Sequence, residues 1–298
     1  MLLLLAALQI DWKAGLDAAL AAAKKDGRPA LLHFYKVDST ASERMMKDTF
    51  GNPDIAAFSA KTFVHVRLDV AKAEALALKH GAAEIPCSVL LASSGERITA
   101  LPGYLGPEAY KEGVESALAA WARLVALKPD QHAEAGELWV ELGDGRKAGG
   151  AFRKAATASA DPKARGALLV KALNQLNAVE AEDSVTADLL AVAAELDALD
   201  PALGFADDAA YGRAMADYNK EDWDEAVRKL EALAAKWPEG DRAAMSLLGA
   251  ADLHHHAKKD HKKAIATAQK VVDKYRGEWA ERARHMIEHI QAHAEKEK

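Results

Sequence analysis

A single cysteine in 298 residues, Cys87, excludes an internal disulfide in any compartment and leaves no second thiol to resolve a mixed disulfide. Aromatic residues are scarce at 6%, alanine is abundant, and β-branched residues are concentrated before residue 101, so most of the chain reads as helix. No run approaches the roughly 20 apolar residues that a membrane span needs, and the chain is expected to be soluble once mature. Basic charge is not in excess: the formal net charge is −6 with both signs interspersed, which argues against nucleic acid as a partner. Paired carboxylates, a nucleophile–base triad and a nucleotide loop are also lacking. Gly143-Asp144-Gly145 and Gly149-Gly150 do not follow a strand, so they read as turns between helices and not as phosphate cradles. No cofactor is expected.

Half the residues are apolar, enough to bury a large core, and the length suggests two domains. Residues 1–9 carry Leu2-Leu3-Leu4-Leu5-Ala6-Ala7-Leu8, which reads either as the apolar centre of a secretory signal without its basic flank or as an apolar tail. The first reading places the protein in the periplasm or outside the cell, the second in the cytoplasm.

From residue 10 to 127 the pattern is mixed. It predicts a helix over 12–25, strands over 29–35 and 62–69, and helices over 40–59 and 71–80. Strands over 87–92 and 97–101 and a helix over 107–126 complete it. Lys128-Pro129-Asp130 breaks the pattern and marks a boundary. The strand order, with Trp12 and the step Lys24-Lys25-Asp26-Gly27-Arg28-Pro29, resembles the thioredoxin-like family over roughly residues 10–124. That resemblance implies an α/β domain with a mixed sheet and helices on both faces. It also aligns Ser39 and Ser42 with the two redox cysteines, and Pro86 with the family's cis-proline.

Beyond residue 128 helix follows helix. Gly136, Trp139, Leu142, Gly143, Ala148, Phe152, Ala155 and Pro162 fall at spacings that resemble a tetratricopeptide repeat. The pattern returns at Ala214, Tyr218, Ala226, Leu230, Leu233 and Pro238, and again at Gly249, Ala264, Ala268, Val271 and Tyr275. Small residues suit close helix pairs, and large ones fill the gap to the next repeat. Residues 128–298 are therefore expected to form an all-α solenoid of about four helical hairpins, closed by a charged helix over 278–298. Such a solenoid implies a concave, peptide-binding surface.

Candidate chemistry is sparse. A serine hydroxyl at Ser39 or Ser42 titrates far above neutrality and cannot take part in thiol exchange. As a nucleophile Ser39 would need a base, and Asp38, Glu43 and His33 are the nearest offered. A capping box over Thr40-Ala41-Ser42-Glu43 accounts for the same residues as a helix start. Cys87, entering a central strand after Ile85-Pro86, is expected to be buried and inert. The loop Ile85-Pro86-Cys87 with the helix start at Ser39 could nonetheless hold an extended peptide, as redox-active relatives do. His285, His289 and His293, spaced four apart, share a helix face and form a weak candidate for Zn²⁺, Ni²⁺ or Cu²⁺, beside the run His254–His256. The expectation is a non-catalytic protein-binding or scaffold module with a protein or peptide partner. A single-thiol redox protein acting through Cys87 and a holdase-type chaperone are the alternatives.

Overall fold

The computed structural model describes residues 10–296, so the apolar stretch 1–9, whether signal or tail, lies outside the described residues. The chain forms two compact units. One runs to Lys128 and includes Leu138–Asp144; the other comprises Pro129–Glu137 and Gly145 onward.

The first unit is a five-stranded mixed sheet in the order β1-β3-β2-β4-β5. The strands are β1 (Trp12–Lys13), β2 (Ala30–Tyr35), β3 (Val64–Asp69), β4 (Cys87–Leu91) and β5 (Arg97–Pro102). β3 pairs in parallel with both β1 and β2, while β4 runs antiparallel to β2 and β5. Alternation of side chains along each strand divides the core in two. Ala30, Leu32 and Phe34 of β2 join Cys87, Val89 and Leu91 of β4 on the face covered by α1 (Leu16–Asp26) and α4 (Glu74–Lys79), where Ala19, Ala23 and Ala77 are buried. Leu31 and Leu90 point the other way, toward Met45, Phe50, Ile55, Tyr110 and Val114. These last come from α2 (Thr40–Arg44) and the turns after it, α3 (Pro53–Thr62) and α5 (Pro107–Ala126). A mixed sheet with helices on both faces is thus what the pattern specified.

Several element limits differ from the sequence expectation. The helix expected over 12–25 starts only at Leu16, because Trp12 and Lys13 form an edge strand against His65 and Val66. The helix expected over 40–59 is interrupted. Met45–Thr49 widens into a π-helical turn in which the Phe50 amide bonds to the Met45 carbonyl at 3.0 Å. A new helix then begins at Pro53, with the Asn52 carboxamide oxygen accepting from the Asp54 and Ile55 amides at 2.9 and 3.2 Å. The helix expected over 71–80 is a 3₁₀ turn, Val70–Lys72, capped by Asp69, followed by α4.

The end of α6 (His132–Glu141) supplies the first unit with core that the sequence break concealed: Leu138, Leu142 and Trp139 pack with Tyr110 and Val114, and Trp139 meets Trp121 edge-on at 6.0 Å. Burying two leucines completely is worth about 2 kcal/mol each. A chain of residues 10–144 is therefore expected to unfold in urea with about 4 kcal/mol more stability than one of residues 10–127. Matching midpoints for the two would overturn this assignment.

The second unit is entirely helical among the described residues: α7 (Gly145–Ala158), α8 (Pro162–Asn177), α9 (Asp183–Asp197), α10 (Ala206–Asn219), α11 (Trp223–Lys236), α12 (Ala243–His256), α13 (His261–Lys274) and α14 (Glu278–Lys296). Each packs chiefly on its neighbours in sequence, with further packing of α8 on α10 and of α12 on α14. The small residues sit where helices touch. A Cβ added at Gly136 would fall 2.5 Å from the Phe152 ring, at Gly149 2.8 Å from Leu176, and at Gly212 2.7 Å from Leu173. Ala148, Phe152, Ala226, Leu230, Ala264, Ala268 and Val271 are buried, as the periodicity required. Tyr218, expected among the interior large residues, is instead exposed beside the Trp223 ring.

Candidate functional site

The aligned redox positions lie where β2 ends and α2 begins. Ser39 is the helix N-cap, extended at φ −99°, and its Oγ accepts from the Ser42 amide at 3.4 Å. The capping residue is thus Ser39 and not Thr40, which occupies the first helical position. The sequence reading was displaced by one because Ser and Thr cap almost equally well. Ser42 is buried, and its Oγ accepts from the Lys36 amide at 3.1 Å. Both hydroxyls therefore satisfy backbone amides. Asp38, between them and the strand, adopts a left-handed conformation at φ 60°, which Asp tolerates better than most residues.

Of the bases that the sequence offered to Ser39, His33 is engaged elsewhere. His33 lies within the sheet, fully buried, with its Nδ1 3.3 Å from Ser88 Oγ and its ring 4.8 Å from that of Phe50. Burial holds its pKa down to about 3, so it is neutral at physiological pH. His65 is likewise kept down to about 4, chiefly by burial, and meets Ser59 Oγ at 2.7 Å.

The antiparallel pairing of Phe34 with Cys87 places the Ile85-Pro86 bond, which is cis, at the same end of the sheet as Ser39. Pro86 and Cys87 are buried and Ile85 half-buried. Cys87 points into the core beneath α1 and α4, where burial pushes its thiol up to about 11. Labelling by a disulfide reagent is accordingly expected to be slower in the native protein than in denaturant by about 10³-fold or more, the protection that a core residue derives from global unfolding. Rapid stoichiometric labelling of the native chain would revive a single-thiol chemistry.

The open surface at this end is a groove of about 490 Å³ lined by Tyr35, Val37, Ser42 and Met46 with Lys36, Asp38, Glu43, Lys47 and Arg67. Val37 is 56% exposed, and the Arg67 guanidinium lies over the Tyr35 ring at 4.9 Å. Ser42 is the one aligned redox position among these residues. Tyr35, Val37, Met46 and Arg67 were not anticipated. Arg67 pairs in register with His33 on the neighbouring strand, so only the strand pairing reveals it as a wall of this groove.

Of the three spaced histidines, His289 and His293 stack with ring centres 6.1 Å apart, whereas His285 turns to Glu288 at 3.7 Å. The rings of His289 and His293 also meet His255, which the sequence did not connect with them.

Residues 11–93 match a family described as thioredoxin-like. Among solved structures, one titled DsbH Oxidoreductase is 20% identical over 40% of this chain and 91% of that one, with a TM-score of 0.36. A disulphide isomerase from Xylella fastidiosa Temecula1 is 24% identical over 39% of this chain and 97% of that one, with a TM-score of 0.29. No curated protein matches the chain.

Proposed function

We propose that this chain, thioredoxin-like in its first unit and helical beyond it, is a non-catalytic protein-binding module that holds an extended peptide in the groove between Tyr35 and Lys47. The observation that supports this reading is an open groove beside serines at the positions aligned with redox cysteines. The hydroxyls at the aligned redox positions are occupied as amide acceptors. The only thiol is in the core, yet the end of the sheet next to it keeps an open groove with apolar and charged walls. The apolar lining residues Tyr35, Val37 and Met46 suit side chains, and the mixed charges among the others suit a polypeptide better than a uniformly charged ligand.

The repeat-like helices support the same reading, since tetratricopeptide-like hairpins serve most often as peptide surfaces, and buried small residues recur at the spacings of such hairpins. The single-thiol alternative finds no support in the burial of Cys87. A photo-reactive residue introduced at Val37 of the full chain is expected to give discrete protein adducts in the source cells. The same residue at Val125, also exposed but outside the groove, is expected to give none. Identical adducts from both positions, or none from Val37, would refute the groove as the binding surface.

A further inference from the structure

Five of the side chains that line the groove between Tyr35 and Lys47 are charged, and among the described residues none of them is in an ion pair. Lys36, Lys47 and Arg67 are the cations, Asp38 and Glu43 the carboxylates, and all five are exposed. Other arginines of this acidic chain, with its net charge of −6, have found acids. Arg44 faces Asp48 at 3.6 Å, Arg153 faces Glu195 at 2.7 Å and Arg242 faces Asp208 at 2.6 Å. Arg67 has a ring in place of an acid. It pairs in register with His33, two residues before Tyr35, so alternation along β2 and β3 stands both side chains on the sheet face shared with Leu31. Its guanidinium lies over the Tyr35 ring at 4.9 Å. A ring steadies an arginine without neutralising it, and the planar fork of N–H donors remains to be matched.

The carboxylates of the groove are placed differently from the cations. Asp38 precedes the Ser39 N-cap and Glu43 lies in the first turn of α2, where the amides of a helix start favour negative charge. Lys36, at the end of β2, Lys47, in the π-helical turn, and Arg67, on β3, have no such compensation. They also outnumber the two acids.

We infer that, given this groove as the peptide-binding surface, the segment it selects is acidic: an aspartate or glutamate meets Arg67 while a neighbouring apolar side chain lies against Val37 and Met46. Arginine matches a carboxylate with two parallel hydrogen bonds, which fixes orientation as well as charge. The apolar lining residues favour a polypeptide over a free anion, because they reward a side chain next to the acid. A basic segment would face three unmatched cations, and like charges set opposite one another select against a wrong partner.

The test uses the full chain and three fluorescein-labelled peptides that share a central Leu-Leu pair and differ only in the residues flanking it, which are Glu, Gln or Lys. Binding is read by fluorescence polarisation. The Glu peptide is expected to bind about tenfold more tightly than the Gln peptide, and the Lys peptide more weakly than either. Added salt should narrow the gap between Glu and Gln. Arg67→Gln, a change at an exposed position, is expected to close that gap and to leave the affinity for the Gln peptide as in the parent. Arg67→Lys, which keeps the charge and loses the fork, should lose most of the gap. Equal affinity of the parent for the Glu and Gln peptides, or preference for the Lys peptide, would overturn the inference and leave the groove standing as a peptide site. A preference for Glu that survives in full in Arg67→Gln would also overturn it. Failure of all three peptides to bind a parent chain whose circular dichroism shows it folded would overturn the groove as a peptide site, and the acidic selectivity with it.

Discussion

Lowering the pH from 7 to 5 is expected to remove about 4 kcal/mol of stability from the thioredoxin-like unit, through two histidines that the fold keeps neutral. His33 is fully buried in β2, and burial, then the nearby Arg67 charge, holds its pKa down to about 3. His65, 2% exposed in β3, is held down to about 4 by burial and then by Arg28, against a smaller opposing pull from Asp11. An unfolded histidine titrates near 6.5, so below that pH the unfolded chain binds protons that the folded chain refuses. Stability is then complete above 6.5 and falls as the pH drops, by about 1.4 kcal/mol per unit for each histidine until its folded value is reached. At pH 5 that amounts to about 2 kcal/mol apiece. Urea unfolding of residues 10–144 at pH 7, 6 and 5 measures the slope. The change His33→Leu, which keeps the position apolar and filled, is expected to remove about half of it. A slope unchanged by His33→Leu together with His65→Leu would show that other groups govern the acid response.

These two histidines also mark how far the sequence could be read. The strands around them were legible because Ala30-Leu31-Leu32-His33-Phe34-Tyr35 and Phe63-Val64-His65-Val66 are apolar runs rich in strand formers, and each run became the expected strand. What could not be read was pairing. Trp12-Lys13 is too short to signal a strand alone, and it is one only because β3 offers it an edge. The π-helical turn at Met45–Thr49 conserves helical periodicity closely enough to pass for helix, although Asn52-Pro53 does announce the restart after it. Leu138, Trp139 and Leu142 follow a proline break in the sequence and yet complete the first core, because burial depends on where α6 returns and not on what precedes it. The site divides in the same way. Ser39, Ser42 and Cys87 follow from local sequence and resemblance. The groove wall at Arg67 and the meeting of His255 with His289 and His293 come from residues far apart in the chain, which no local pattern connects.

Two thiols placed at Ser39 and Ser42 are expected to confer thiol–disulfide chemistry. Ser39 and Ser42 are one helical turn apart, joined by a bond from the Ser42 amide to the Ser39 hydroxyl, and the first of them stands at a helix start where backbone amides stabilise an anion. Serine and cysteine are nearly isosteric, so Ser39→Cys with Ser42→Cys leaves the backbone in place. The cost is the bonds that Ser42 Oγ accepts from the Lys36 amide and Ser39 Oγ from the Ser42 amide, about 1 kcal/mol each, since sulfur is a weak acceptor. Mild oxidation is expected to close a disulfide across this short loop and to make the oxidised variant about 2 kcal/mol more stable than its reduced form. The variant should also gain dithiol-dependent reduction of insulin, with the parent at background. Its rate is expected to be modest, because the Asp38 carboxylate beside the first thiol opposes formation of a thiolate. Buried Cys87 should take no part, so adding Cys87→Ser leaves the gain intact. A double variant that stays folded but cannot close the bond would mean that Ser39 and Ser42 do not occupy redox positions, and the reading of this unit as a thioredoxin-like domain that has lost its dithiol would fall with it.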